Sequence, residues 1–455
     1  MKKFLLRTMS DVASIVWLLV LYTLQGVPLG MSAVFPLLLK ERGASYADLA
    51  RFSLCSWPFA LKLLWAPIVD GTHLPFLGRR KSWLIPCQLL IGALLYHLSL
   101  HYESFLPSST SSGDINSLTY MFFALYFLAA TQDIAVDGWA LTMLSEEKVG
   151  YAGTCNSVGQ TAGYFLAFSG FFGLSKLSIC SLETFMQLWA AIFVLVTLLV
   201  AVLKREDKTT PDGEGEPGNV SHIYMQMISV LKLKSVQELS IVLLTCGIPF
   251  IDGLIGVKFQ DAGVPADIIA LLAALTTPVH ILLPWLVTKF FPDVPPLASF
   301  RIIFPIRIMF QLVSVLLIAV APTALSTNHQ PALVLFYAVC LILSMIESAI
   351  MQVMFVSKMS FFAKISDPVI GGTFMTVLNT ISNIGGNIAG QLSYRLAEAS
   401  TIPNQLDGFY AVVVFVTLYG FGWLKCFGHQ LSELEKRNLS SWRLSDKKTS
   451  RSKGV

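Results

Sequence analysis

The 455-residue sequence has little charge, since only 13% of its residues are Asp, Glu, Lys or Arg and 54% are hydrophobic. In a soluble domain about a quarter of the residues are charged, so the composition excludes that class. The seven cysteines fall mostly within apolar stretches, which argues against a disulfide framework. Metal-ligand spacings, phosphate-cradling glycine loops and nucleophile elbows are lacking, and we expect no metal, no cofactor and no nucleic-acid partner.

What the chain has instead is about twelve apolar stretches that are long enough to span a lipid bilayer. They cover residues 12–39, 47–70, 82–101, 118–144, 151–175, 183–203, 237–257, 265–290, 300–322, 331–357, 370–397 and 407–428. We number the predicted spans one to twelve in chain order. The sequence therefore predicts an all-α polytopic membrane protein. The first span is too long for a signal-peptide core, so no cleavable leader is expected.

The basic residues lie asymmetrically around these spans. If the N-terminus is cytosolic, most of the 32 Lys and Arg residues lie on the cytosolic side, as the positive-inside rule requires. Both termini are then cytosolic. A polar segment, 204–236, is predicted to be a linker between two six-helix halves, 1–203 and 237–428, and a cytosolic tail, 429–455, follows.

A weak internal repeat supports the division into halves. Aligning them places Gly153-Thr154 on Gly372-Thr373, and it matches span five with span eleven as glycine-rich helices that neighbours could approach closely. Any two glycine-rich membrane helices would align in this way, so coincidence is the alternative. Twelve helices, a central cytosolic loop and two related halves together resemble the major facilitator superfamily.

Two carboxylates lie inside span four. Asp133 and Asp137 are four residues apart and therefore share one face of a helix. Charge at that depth is costly and persists mainly where it faces a partner or a water-filled path. We expect Asp133 to face a cavity and Asp137 to lie nearer the cytosolic end.

The loop after span two contains Asp70 and then Gly78-Arg79-Arg80. It resembles the superfamily's signature between helices two and three, although the spacing here is longer than usual. The resemblance implies a cytosolic gate closed by salt bridges, in which Asp137 would pair with Arg79 or Arg80. An ordinary positively charged cytosolic loop is the alternative.

Two cations, Lys62 in span two and Arg307 in span nine, are predicted to lie within the membrane. Arg and Lys both bind phosphate, so they favour an anionic substrate. Arg307 could instead extend to the cytosolic interface. Lys62 could instead form a structural ion pair with Asp133, Asp137 or Glu347.

Further polar residues interrupt the apolar spans. Asp252 follows Pro249 in a stretch of span seven that has the pattern of a broken helix. Asn379, Asn383 and Asn387 form a stripe that either joins helices or lines a pore. The residues predicted to bind substrate are Gln25, Lys62, Asp133, Arg307, Glu347, Asn379 and Asn383.

Several long segments resemble the acetyl-coenzyme A transporter family of the endoplasmic reticulum membrane. They are Leu24–Gly30, Trp57–Asp70, Gly78–Trp83, Ala129–Leu144, Val149–Tyr164 and Ser366–Thr373. The resemblance implies transport of acetyl-coenzyme A from the cytosol into the lumen for acetylation there, and a transporter rather than an enzyme. The chain departs from the pattern in a short outer loop, 397–407, and in the helix-seven stretch 247–258.

Other functions stay open. Span four also resembles bacterial muropeptide permeases, which favours an amino-sugar peptide as the alternative substrate. A membrane acyltransferase would need a base, for which His280 is the candidate, and a receptor or scaffold has no feature in its favour. The basic tail, with Arg451 and Lys453, resembles a retrieval signal for the endoplasmic reticulum. The sequence is compatible with a homodimer and does not distinguish uniport, exchange and proton coupling.

Overall fold

The structure is a computed structural model. It describes residues 2–74, 76–108, 113–145, 148, 151–204, 206, 220–290, 294–326, 330–366, 371–402, 405 and 407–442. Within these residues the regular elements are helices, and Leu74 and Gly78 form an isolated antiparallel bridge. The basic tail with Arg451 and Lys453 lies outside the described residues.

Long helices follow the apolar stretches. Up to residue 203 the helices are α1 (Lys2–Glu41), α2 (Tyr46–Phe52), α3 (Trp57–Leu61), α4 (Ala66–Gly71), α5 (Lys81–Phe105), α6 (Ile115–Met143), α7 (Tyr151–Lys176) and α8 (Leu182–Leu203). After it they are α9 (Val220–Leu231), α10 (Lys234–Thr245), α11 (Asp252–Asp261), α12 (Ala266–Phe290), α13 (Pro296–Ser326), α14 (Gln330–Ile365), α15 (Gly371–Ser400) and α16 (Gly408–Lys436). Each predicted span coincides with one helix or with a run of shorter ones, which confirms the all-α polytopic fold. Helix α9 lies inside the segment predicted to be a linker.

Two spans are broken. Span two consists of α2, α3 and α4 joined by tight 3-10 turns, and Pro58 and Pro67 each stand in the first turn of a new helix. Proline is tolerated there because the first helical N–H groups have no partner within the helix. Span seven stops at Thr245 and resumes at Asp252, with Pro249 between them. The broken helix expected around Pro249 is therefore confirmed.

By length and composition alone, eight of the described helices could cross a membrane. They are α1, α5, α6, α8, α12, α13, α14 and α16. The predicted spans that are not among them are the two broken ones and the glycine- and amide-rich α7 and α15. Thus the spans that a hydropathy threshold misses are those carrying breaks and polar side chains.

The described residues divide into two compact units. The first contains residues up to Ala44 and Leu54–Val220, and the second contains Ser45–Ser53 and the residues from Ser221 onward. Helix α2 therefore belongs to the second unit, where it packs against α15. The Glu398 carboxylate accepts a hydrogen bond of 3.1 Å from the backbone N–H of Ala47 in the first turn of α2.

Glycines allow the close helix contacts that the sequence predicts. In the first unit α1 packs against α7, and a Cβ atom at Gly163 would lie 1.9 Å from the Thr23 carbonyl oxygen. In the second unit α10 packs against α15, and a Cβ atom at Gly385 would lie 2.4 Å from the Leu243 carbonyl oxygen. Both distances are far below van der Waals contact, so only glycine fits at these crossings.

Candidate functional site

The carboxylate of Asp133 is the centre of a buried polar cluster in the first unit. Asp133 is 1% exposed. Its oxygens accept a hydrogen bond of 2.5 Å from Gln25 Nε2 and form an ion pair with Lys62 Nζ. Lys62 begins the second 3-10 turn of span two, so the break in that span places its ammonium group against α6. The pairing is one alternative that the sequence left open for Lys62.

Asp137, one turn along α6, has neutral partners. Its Oδ1 atom accepts hydrogen bonds from the Tyr22 hydroxyl at 2.8 Å and from Asn156 Nδ2 at 3.0 Å. The expected pairing of Asp137 with Arg79 or Arg80 is therefore wrong. Helices α1 and α7 pack against this face of α6 and supply the two donors. The prediction considered only α6 and the loop after span two, so it missed them.

The two arginines of the loop bind Asp70 instead. Arg80 forms an ion pair with the Asp70 carboxylate at 2.5 Å, and Arg79 Nε donates to the Asp70 backbone carbonyl at 2.7 Å. Gly78 has a φ of +93°, a conformation that favours glycine. The loop is therefore held by an ion pair within itself.

Two residues that the sequence analysis missed complete this loop. Glu206 accepts hydrogen bonds from the backbone N–H groups of Arg80 at 2.8 Å and Lys81 at 3.2 Å, which places a negative charge at the start of α5. A Cβ atom at Gly138 would lie 2.2 Å from the Arg80 guanidinium. The sequence signal for this contact was a glycine directly after Asp137, which leaves room for a neighbouring side chain.

In the second unit, Arg307 on α13 faces the break in span seven. Its guanidinium forms an ion pair of 2.6 Å with Asp252, and its Cζ atom lies 3.9 Å from the centre of the Phe250 ring. The side-chain amide of Gln311 donates to the Pro249 carbonyl at 3.0 Å and accepts from the Ile251 N–H at 3.2 Å. These contacts replace helical hydrogen bonds that the break removes.

A cavity of about 330 Å³ lies beside this break. Its described lining residues are Cys246, Gly247, Phe250, Ile251, Asp252, Gly253, Phe300, Arg307, Met351, Met354, Phe355, Lys358, Gly386, Ala389, Gly390, Ser393 and Tyr394. Lys358 was not among the residues predicted to bind substrate. Helix α14 continues beyond Lys358 to Ile365, and the apolar residues between them were the signal that Lys358 lies within the helix.

Of the remaining candidates, Glu347 lies within electrostatic range of Arg307 and Asp252. Glu347 accepts a hydrogen bond of 2.6 Å from the Ser314 hydroxyl. His280 Nδ1 lies 2.5 Å from Gln352 Nε2, an amide rather than the acid that would support a catalytic base. Neither Asn379 nor Asn383 is among the described residues that line the cavity. The structure thus brings Gln25, Lys62 and Asp133 together, whereas Arg307 belongs to a different site.

A family model described as acetyl-coenzyme A transporter 1 matches residues 14–214 and 306–405, well over half of the chain. The chain belongs to the acetyl-coenzyme A transporter family. The unmatched residues between these ranges include the helix-seven stretch 247–258, where the sequence departs from the family pattern.

The chain is also similar to other proteins, some of which are transporters. An uncharacterised protein of Schizosaccharomyces pombe is 31% identical over 87% of this chain and 77% of its own length. The anhydromuropeptide permease of Escherichia coli is 26% identical over 33% of this chain and 29% of its own length. The crystal structure of the nucleoside transporter NupG has a TM-score of 0.64 at 13% identity, over 93% of this chain and 100% of that one. The chain is therefore a multi-pass membrane transporter with the major facilitator superfamily fold, and its family is not one of enzymes.

Proposed function

We propose that the protein transports acetyl-coenzyme A from the cytosol into the lumen of the endoplasmic reticulum, where the acetyl groups supply acetylation. The family match is the observation that carries this proposal. Acetyl-coenzyme A bears several negative charges on its phosphates, so it needs a protein path across a hydrocarbon core. Arg307 and Lys358, the cations that line the cavity beside the break in span seven, can bind such an anionic solute.

In this proposal the two halves alternate in exposing a central site, as transporters with repeated halves do. Both termini are cytosolic, and the loop with Asp70, Gly78, Arg79 and Arg80 closes the cytosolic side. Glycosylation at the Asn438 sequon in intact cells would contradict this orientation, because sugar is added in the lumen.

The decisive experiment is uptake of labelled acetyl-coenzyme A into proteoliposomes that contain the purified protein. We expect saturable accumulation that empty liposomes lack, and little uptake of a labelled nucleoside or of anhydromuropeptide. Accumulation of the muropeptide without acetyl-coenzyme A would contradict the proposal and favour the second candidate, which the partial match to the permease supports.

His280→Ala separates transport from acetyl transfer. If the protein is a transporter, the variant keeps uptake, because the hydrogen bond of His280 is to the Gln352 amide and not to an acid. Loss of acetyl transfer to a lumenal acceptor with uptake unchanged would instead support a membrane acyltransferase.

A further inference from the structure

The charges that line the cavity in the second unit are unequal in number. Among its described lining residues, Arg307 and Lys358 are cationic and Asp252 is the single acid. The Arg307 side chain is only 14% exposed, whereas that of its partner Asp252 is 65% exposed. Lys358 Nζ donates to the neutral Ser382 hydroxyl at 3.2 Å. The described lining therefore carries net positive charge, and its acid is the more accessible member of the ion pair. The Glu347 carboxylate on α14 is a further acid within electrostatic range of Arg307 and Asp252, and it is not among the described residues that line the cavity.

Two glycines leave part of the cavity wall formed by α15 without side chains. Gly386 and Gly390 both line the cavity, and a Cβ atom at either would meet no other atom within 4 Å. The side chains of Phe300, Phe355 and Tyr394 add aromatic surface. Apolar and aromatic walls with a few charged groups are typical of ligand sites, and this wall has room that packing does not use.

Size decides how much of a ligand the cavity can hold. Its volume of about 330 Å³ lies at the lower end of the roughly 300–1,000 Å³ that accommodate drug-sized ligands. Acetyl-coenzyme A is a long molecule, with its phosphates and adenine at one end and an uncharged thioester at the other. A cavity of this size takes one end, and its two cations select the end that carries the phosphates.

We propose that this cavity is the subsite for the nucleotide end of acetyl-coenzyme A, with Arg307 and Lys358 as phosphate ligands; the assignment rests on the proposed transport function. Asp252 is the counter-ion that the substrate phosphate displaces from Arg307. Asp252 is the first residue of α11, so loss of its ion pair with Arg307 changes the contacts at the break in span seven. Phe250 holds the guanidinium in place while its anionic partner changes.

The test is competition binding of labelled acetyl-coenzyme A to the purified full-length protein. The unlabelled competitors are coenzyme A, dephospho-coenzyme A (which lacks the ribose phosphate) and pantetheine (which lacks the nucleotide end). We expect Lys358→Gln and Arg307→Gln to weaken coenzyme A binding about tenfold each, as loss of a charge-assisted contact does. Pantetheine binding should be unaffected, and Asp252→Asn should tighten coenzyme A binding a few-fold.

A steric variant tests the same cavity without changing charge. Gly390→Leu should abolish coenzyme A binding because its side chain enters open volume. Gly422→Leu on α16 is the matched control, since its Cβ atom also meets nothing and Gly422 is not among the described lining residues. Thermal unfolding of each variant confirms that it folds.

The outcomes separate the subsite from the transport function. Wild-type binding of acetyl-coenzyme A that Lys358→Gln, Arg307→Gln and Gly390→Leu leave unchanged would overturn the subsite and leave the proposed function standing. Equal weakening of pantetheine and coenzyme A by the charge variants would also overturn it. Failure of the wild-type protein to bind or transport any acyl-coenzyme A would overturn both.

Discussion

The two units differ in the exposure of the acid that pairs with a cation in a predicted membrane span. In the first, Lys62 is paired with Asp133, an acid that is 1% exposed and also bound by Gln25. In the second, the acid that pairs with Arg307 is mostly exposed and lines a cavity with a further cation, Lys358. We infer from this difference that a cation within a membrane span need not bind substrate. The burial of its partner decides whether the pair supports the fold or is open to exchange.

The largest effect that tests this contrast is expected from Lys62→Met. The substitution leaves the Asp133 carboxylate buried without its cation, and breaking a buried pair in this way costs about 3–5 kcal/mol. Thermal unfolding of the detergent-solubilised protein should show a large loss of stability. Arg307→Met should lower the melting temperature much less, because Asp252 remains solvated in the cavity.

The double variant Lys62→Met/Asp133→Asn provides the control. It removes both charges and keeps an oxygen that can accept from Gln25, so much of the lost stability should return. If Lys62→Met were as stable as the wild type but defective in uptake, Lys62 would be a substrate ligand and the contrast between the units would fail.

A smaller effect is expected at the crossing of α1 and α7. Gly163→Ala places a Cβ atom against the Thr23 carbonyl, and overpacking of this kind costs about 1–3 kcal/mol. Gly170→Ala is the matched control on the same helix, since its Cβ atom would meet nothing within 4 Å. Equal melting temperatures for the two variants would show that the helices can separate without loss. Gly385→Ala should behave like Gly163→Ala, because this feature is common to both units.

The smallest effect concerns the carboxylates that cap helices in each unit. Glu206 binds the first N–H groups of α5, and Glu435 accepts from the N–H groups of Leu297 at 2.5 Å and Ala298 at 3.1 Å at the start of α13. Glu206→Gln and Glu435→Gln retain an acceptor but lose the favourable charge at the helix terminus, worth about 0.3–1 kcal/mol. Similar small shifts in melting temperature would show that the two caps contribute alike, and a larger shift for Glu435→Gln would reflect the additional loss of its ion pair with Lys364 at 3.5 Å.

The sequence predicts the helices well because each requires only a local apolar run of sufficient length. The break at Pro249 is predictable for the same reason, since proline acts on its own helix. The partners of the charged residues are harder to predict. Asp137 binds Tyr22 and Asn156, which lie far away in the chain and meet it only after α1 and α7 have packed.

Lys358 shows a second reason why site residues are hard to predict from the sequence. The positive-inside rule assigns a lysine near the end of an apolar run to the cytosol, but it does not fix how far the helix continues. In the structure α14 extends past Lys358, and the side chain lines the cavity. Whether a side chain lines a cavity depends on helix length and packing, neither of which is encoded in a single residue.

Position 311 requires a side chain that can both donate and accept a hydrogen bond, and Gln311 can do both. Its amide has an NH2 group that donates and a carbonyl oxygen that accepts, and the break in span seven uses both groups, through the Pro249 carbonyl and the Ile251 N–H. A glutamate could only accept, and a leucine could do neither, whereas most neighbours on α13 need only be apolar. Position 311 is thus a point of low mutational tolerance within a tolerant helix, and relatives that replace this glutamine would need a span seven built without this break.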